Sequence, residues 1–273
     1  KVEIIKKGGC FMVSSEIRQK ARESLTGKWG KAALMTLAFA IIVFVIAFIC
    51  NIVPIIGPIA NFVISLPLSY GFLVSFMKLK RNEEVGYTDF ITNGFSVFGK
   101  VWGVFGNIVL KMILPICLVV VFIVLIFISL GGSIAGLLTY NYNSLHASSY
   151  AVGATAGFGV LGLIGFIGYI ASLIYLIVKG FLYALSYYIL NDNPNMSGKE
   201  IVAESERLMK GNRARYFWLP LSFIGWLILS AFTFHIGLLW LLPYVMISMI
   251  IFYENLSNKT EVIDNDTAVK TEE

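Results

Sequence analysis

Six apolar runs, each near the length of a bilayer crossing, alternate with short polar stretches along the chain. A helix needs about 20 predominantly apolar residues to cross the hydrocarbon core. Residues 32–53 supply the first crossing. The segment Asn51-Ile52-Val53-Pro54-Ile55-Ile56-Gly57-Pro58 ends it, because two prolines and a glycine cannot continue a helix. Residues 59–77 and 112–130 supply the next two. The stretch 131–152 carries no charge and is rich in Gly, Ser, Asn and Tyr, so it reads as an external loop. Residues 153–190 are too long for one straight crossing and too short for two with a turn. They are read as one crossing over 159–178 whose ends project on both sides. Residues 216–234 and 238–253 form a last hairpin around His235-Ile236-Gly237. The pattern predicts an all-α, polytopic membrane protein with six transmembrane helices in three hairpins.

Three polar stretches have a helical period of their own. In 14–30, Ile17, Ala21, Leu25 and Trp29 recur every four residues among Arg18, Lys20 and Arg22. In 89–105, Phe90, Phe95, Phe98, Trp102 and Phe105 mark an aromatic face behind the capping residue Asp89. In 197–210, Ser197 and Glu200 make a capping box, Ile201, Ser205, Leu208 and Met209 share a face, and Gly211 can close the helix. Such helices suit the headgroup plane, apolar side chains down. Each precedes a Gly/basic/aromatic joint and then a hydrophobic hairpin. The joints are Gly27-Lys28-Trp29-Gly30, Gly99-Lys100-Val101-Trp102-Gly103 and Gly211-Asn212-Arg213-Ala214-Arg215-Tyr216-Phe217-Trp218. The recurrence hints at an internal repeat. Trp beside a cation anchors a helix end at the interface, so Trp29, Trp102 and Trp218 are read as interfacial anchors, and convergence on that role would give the same joint.

Charge fixes the expected sidedness. All 16 acids and 19 of the 21 Lys/Arg fall within 1–31, 78–100, 191–215 and 254–273. Loops rich in Lys/Arg stay cytoplasmic, which puts both termini inside and 131–152 outside, in a cytoplasmic (inner) membrane. Hydrophobic residues make up 58% of the chain and charged residues 14%, against about 45–50% and about 25% in soluble domains. The +5 net charge lies beside the crossings, where anionic headgroups are its counter-charge, so nucleic acid is not an expected partner. Cys10, Cys50 and Cys117 have no metal or disulfide spacing. Lys7-Gly8-Gly9 is what a purine-rich bacterial ribosome-binding site would give if translated, and Met12 begins a plausible protein. Residues 1–13 are therefore read as disordered or a mis-called start, 14–254 as a single transmembrane domain, and the acidic stretch 255–273 as a disordered tail.

The chain offers little for chemistry. The crossings hold no Asp, Glu, Arg or His apart from Glu254 at the end of the last, and His146 and His235 lie far apart. No catalytic constellation, metal site or cofactor is expected. Lys111 and Lys179 are the two cations inside apolar runs. Both sit near inner ends and can snorkel to headgroups; the alternative is a paired site for an anionic headgroup or substrate. Gly159, Gly162, Gly165 and Gly168 recur every three residues. Small residues let helix backbones approach in lipid, either within the molecule or at a self-association face or mobile transport helix. Pro67, Pro115, Pro220 and Pro243 interrupt crossings, a weak signal for hinges.

The run Tyr188-Ile189-Leu190-Asn191-Asp192-Asn193-Pro194, then Glu204-Ser205-x-x-Leu208-Met209-Lys210-Gly211-Asn212, then Leu221-Ser222-Phe223-Ile224-Gly225-Trp226, resembles the bacterial membrane-protein family known as domain of unknown function 975. Gly237-x-x-Trp240-Leu241-x-Pro243-Tyr244 and Ile17-Arg18-x-x-Ala21-Arg22-x-x-Leu25-x-Gly27-Lys28-Trp29 are similar to it too. The stretch 131–165 departs, being longer and richer in Gly. The resemblance implies a polytopic bacterial membrane protein and carries over no functional residues. The expected function is a non-enzymatic accessory or partner-binding protein in the lipid bilayer, with a membrane-protein partner or a homo-oligomer in view. The alternative is a small transporter or exporter of a lipid, peptide or small molecule.

Overall fold

A computed structural model describes residues 12–142 and 148–271. Among them every regular element is a helix: α1 Ser14–Leu25, α2 Trp29–Asn51, α3 Ile56–Lys80, α4 Asp89–Phe95, α5 Phe98–Tyr142, α6 Ser148–Phe181, α7 Ser186–Asp192, α8 Gly198–Met209, α9 Arg213–Leu221, α10 Ile224–Phe232 and α11 Leu238–Thr271. Six segments are long and apolar enough to cross a membrane: Trp29–Asn51, Ile56–Lys80, Phe98–Gly136, Thr155–Asp192, Arg213–Phe232 and Leu238–Asn258. The chain is an all-α polytopic membrane protein.

Residues 131–142 and 148–152 of the expected external loop are helical. α5 continues through Gly131-Gly132 to Tyr142 and α6 begins at Ser148. Glycine costs a helix interior only about 1 kcal/mol, and Gly132 lies close against the Phe158 ring. The backbone of the acidic stretch is helical as far as Thr271, where an unstructured tail was expected; adding a residue to an existing helix is far easier than starting one. Residues 1–11 and 143–147, with His146 among them, lie outside the described residues, and so does the expectation of a disordered start.

The expected single domain divides into two compact units, 1–107 with 182–273, and 108–181. The second holds α5 from Ile108 onward and α6. A Cβ placed on Gly162, Gly165 or Gly168 would run into Ser129, Ile126 or Phe122 of α5, and the Ser129 hydroxyl donates to the Phe158 carbonyl. Gly159 faces open space.

In the first unit, burial is concentrated at one end of the long helices. On α2 the buried residues are Ala32, Ala33, Met35 and Thr36, on α3 they run, apart from Gly57, from Pro67 to Leu79, and on α11 they lie between Leu241 and Leu256. The far ends are bare: Phe44 is 69% exposed, Ile55 82% and Phe234 91%. Apolar surface on this scale needs lipid or protein to cover it.

The amphipathic helices differ from expectation in what covers them. Ile17, Ala21 and Leu25 of α1, and Ile201, Val202, Ser205, Leu208 and Met209 of α8, are buried by protein. Their apolar faces are not left for the headgroup plane. The aromatic stretch 89–105 is two elements, α4 and the first turns of α5, with Phe90, Val101 and Val104 buried and Phe95 and Phe98 exposed.

The same device recurs at all three. The Glu16 carboxylate accepts from the Val13 N–H at 3.1 Å, Asp89 from Gly86 at 2.7 Å and Glu200 from Ser197 at 2.8 Å. Each helix then buries a large residue (Ile17, Phe90, Ile201) and, four further on, a small one (Ala21, Gly94, Ser205). The 12-residue helices α1 and α8 both close on a left-handed glycine, Gly27 at φ +77° and Gly211 at φ +82°, which a Cβ would strain. Each capped helix packs on a different inner helix: α4 on α3, α8 on α7, and α1 on α11.

Candidate functional site

Those three inner helices also pack together, α11 on α3 and α3 on α7. Tyr70 meets Tyr187 with ring centroids 6.0 Å apart, and Tyr188 meets Tyr253 at 5.3 Å. Contact here is close enough to demand glycine. A Cβ on Gly71 would strike the Phe90 carbonyl, and one on Gly94 the Pro67 carbonyl. A polar ladder runs beside them: Lys78 Nζ donates to Asn93 Oδ1 at 2.9 Å, Asn93 Nδ2 to Ser75 Oγ at 3.2 Å, and Ser75 Oγ to the Gly71 carbonyl at 3.0 Å. Buried Ser205 joins α8 to the turn before α7, donating to Leu182 O at 2.8 Å and accepting from Leu185 N–H at 3.2 Å.

The inner helices end in one ionic junction. Lys80 and Arg81 finish α3, Asp192 finishes α7, and Glu254 lies on α11. Lys80 pairs with Glu254. Arg81 grips Asp192 and reaches Glu254 at 3.7 Å. The hydrogen bond to Asp192 raises the Arg81 pKa above its already high ordinary value, so the cation persists at any physiological pH. The side chains keep between 20% and 33% of their surface exposed, so the junction sits at a rim rather than in a dry core. Two cations meet two carboxylates, and the arrangement neutralises itself.

Two buried oxygens behind it, Ser186 Oγ and Tyr187 OH, have no partner among the described residues, and neither does Trp102 Nε1. Trp102 is ringed by Phe62 at 5.5 Å, Phe105 at 5.3 Å and Phe98 at 6.5 Å. Trp29 stands edge-on to Tyr244 at 6.1 Å, and Trp218 is 60% exposed beside Phe217.

Lys111 and Lys179 both lie in the α5–α6 unit. Lys111 is exposed, and Lys179, in the last turn of α6, stands 6.0 Å from the centroid of the Tyr175 ring. The junction residues are not legible as a set, since Arg81 and Asp192 are remote in sequence. The available signal is positional: Asp192 and Glu254 are the first acids after long apolar runs.

A cavity of about 600 Å³ opens beside α1, walled by Trp29, Trp226, Trp240 and Tyr244 and flanked by Arg18 and Arg22. Arg18 Nη1 donates to the Ser222 carbonyl at 3.2 Å, and Tyr244 OH donates to the Arg18 carbonyl at 3.2 Å. These bonds tie α1 to the break between α9 and α10 and to α11.

No curated protein and no solved structure matches the chain. Residues 12–260 match the family described as protein of unknown function (DUF975). Together with its six apolar helices, this match makes the chain a multi-pass membrane member of that family.

Proposed function

We propose that this protein is a non-catalytic accessory protein of the bacterial cytoplasmic membrane, with both termini inside, that works by binding a membrane-protein partner or a second copy of itself. One observation carries the reading. At the junction of the inner helices, Lys80 and Arg81 are neutralised by Asp192 and Glu254. A group that is to carry protons or bind substrate charge needs an unsatisfied partner. The outer helix ends are broad and apolar, with Phe44, Phe48, Phe127, Leu163 and Ile167 each at least 64% exposed. Surfaces of that kind need lipid or a protein partner to cover them.

A photo-crosslinking residue at Phe44 and then at Phe48, one turn apart on α2, tests this in living cells. The reading expects one protein adduct of the same mass at both positions and none at buried Phe76. Lipid adducts alone at every position on α2, α5 and α6 would overturn it. The second reading, a small transporter, has the aromatic cavity in its favour. It expects flux of a solute through purified protein in liposomes.

A further inference from the structure

We infer that the cavity beside α1 is a binding site for an anionic phospholipid, with its phosphate at Arg18 and Arg22 and an acyl chain laid along Trp226, Leu229 and Leu241. The volume of about 600 Å³ falls inside the roughly 300–1,000 Å³ range of small-molecule sites. Its lining divides by chemistry into the two guanidiniums of α1 and a set of indole and leucine side chains. An amphiphile with a charged head and a hydrocarbon tail matches that division, whereas a free anion would leave most of the wall unfilled.

The charge balance points the same way. α1 carries two acids, and both are engaged away from the cavity. Glu16 accepts from the Val13 N–H, and Glu23 accepts from Gln19 Nε2 at 3.0 Å. Among the described residues no carboxylate pairs with Arg18 or Arg22. Arg18 is held in place by the Ser222 carbonyl, a neutral partner that leaves its charge uncompensated. Guanidinium is the side chain best shaped for a phosphate. Trp226 and Trp240 keep 59% and 48% of their surface open, so the aromatic wall is accessible to a ligand. Basic pockets beside membrane helices are recognised headgroup sites, and Trp favours the same interfacial depth. The inference goes beyond the partner-binding reading and does not depend on it, since crosslinks to a partner and lipid retention can fail separately.

The wall tryptophans provide the assay. Full-length protein in mild detergent, with Trp102 and Trp218 changed to Phe, is titrated with phosphatidylglycerol brominated on its acyl chains and then with brominated phosphatidylcholine. The expected result is saturable quenching by the anionic lipid, at least tenfold tighter than by the zwitterionic one. Arg22→Gln should reduce that preference to less than threefold, while unbrominated phosphatidylglycerol competes and millimolar inorganic phosphate does not. Arg22 is exposed and outside the packed face of α1, so the variant keeps the fold; circular dichroism and elution volume check this. Equal quenching by both lipids, an Arg22→Gln protein with unchanged preference, or full competition by inorganic phosphate would each overturn the inference, the last by assigning the site to a free anion. Trp226→Ala, which shortens the acyl wall, should weaken phosphatidylglycerol binding at least fivefold, and unchanged binding would exclude the chain's placement.

Discussion

Arg81 and Asp192 form a two-pronged ion pair, with Nη1 2.8 Å from Oδ1 and Nη2 2.9 Å from Oδ2. The fork joins the end of α3 to the end of α7 and fixes their relative angle, because a planar guanidinium matches a carboxylate in one orientation. Glu254 on the opposite side of Arg81 ties in α11.

The first prediction concerns that fork. An exposed pair contributes at most about 1 kcal/mol, but members of one network couple by about 0.5–3 kcal/mol. Arg81→Ala should therefore lower stability in detergent by about 1–2 kcal/mol, and Arg81→Lys by nearly as much, because the ammonium cannot make both bonds. A double-mutant cycle with Asp192→Asn, read by thermal unfolding, should show the two changes to be less than additive. Full additivity would mean the pair contributes nothing to cohesion.

The glycine contacts between α3 and α4 give the second. Gly71→Ala and Gly94→Ala each drive a Cβ into a backbone carbonyl, a crowding that costs about 1–3 kcal/mol. Gly30→Ala and Gly99→Ala meet nothing within 4 Å and lie in helices, so they should be neutral or slightly stabilising. Melting temperatures of the four variants check the contrast.

How much of this was legible depends on the range of the interaction. The six crossings could be read because each is a local run of apolar residues, and the starts of α4 and α8 because capping residues act within one turn. Gly131-Gly132 misled, since their composition suggests a loop while packing against Phe158 keeps the helix going. The amphipathic faces of α1 and α8 were found but their cover was not. Ile17, Ala21 and Leu25 have the same period whether lipid or α11 lies beneath them. The ionic junction and the aromatic cavity depend on which distant helices meet, and Arg18 gives no local sign that its partner is the Ser222 carbonyl.

Acid provides the third prediction. Hydrogen bonds from the Ser197 backbone and side chain hold the Glu200 carboxylate below its ordinary 4.5, although it is fully exposed. A depressed folded-state pKa means that the cap contributes at pH values above about 4.5 and is lost as pH falls through the lowered value. The protection of the first-turn amides of α8, corrected for the intrinsic pH dependence of exchange, should fall over that acid window. In Glu200→Ala the first turn should already exchange faster at pH 7 and should lose this acid dependence.

The proposed topology puts the charged ends of α3, α7 and α11 on one cytoplasmic face. Single cysteines in a background lacking Cys10, Cys50 and Cys117, labelled in intact cells with a membrane-impermeant maleimide, test this directly. Glu84→Cys, just after the end of α3, and Asn195→Cys, between α7 and α8, should stay unlabelled until the membrane is opened, while His235→Cys at the opposite hairpin tip reacts from outside. Labelling of Glu84→Cys or Asn195→Cys in intact cells, with His235→Cys protected, would contradict the account.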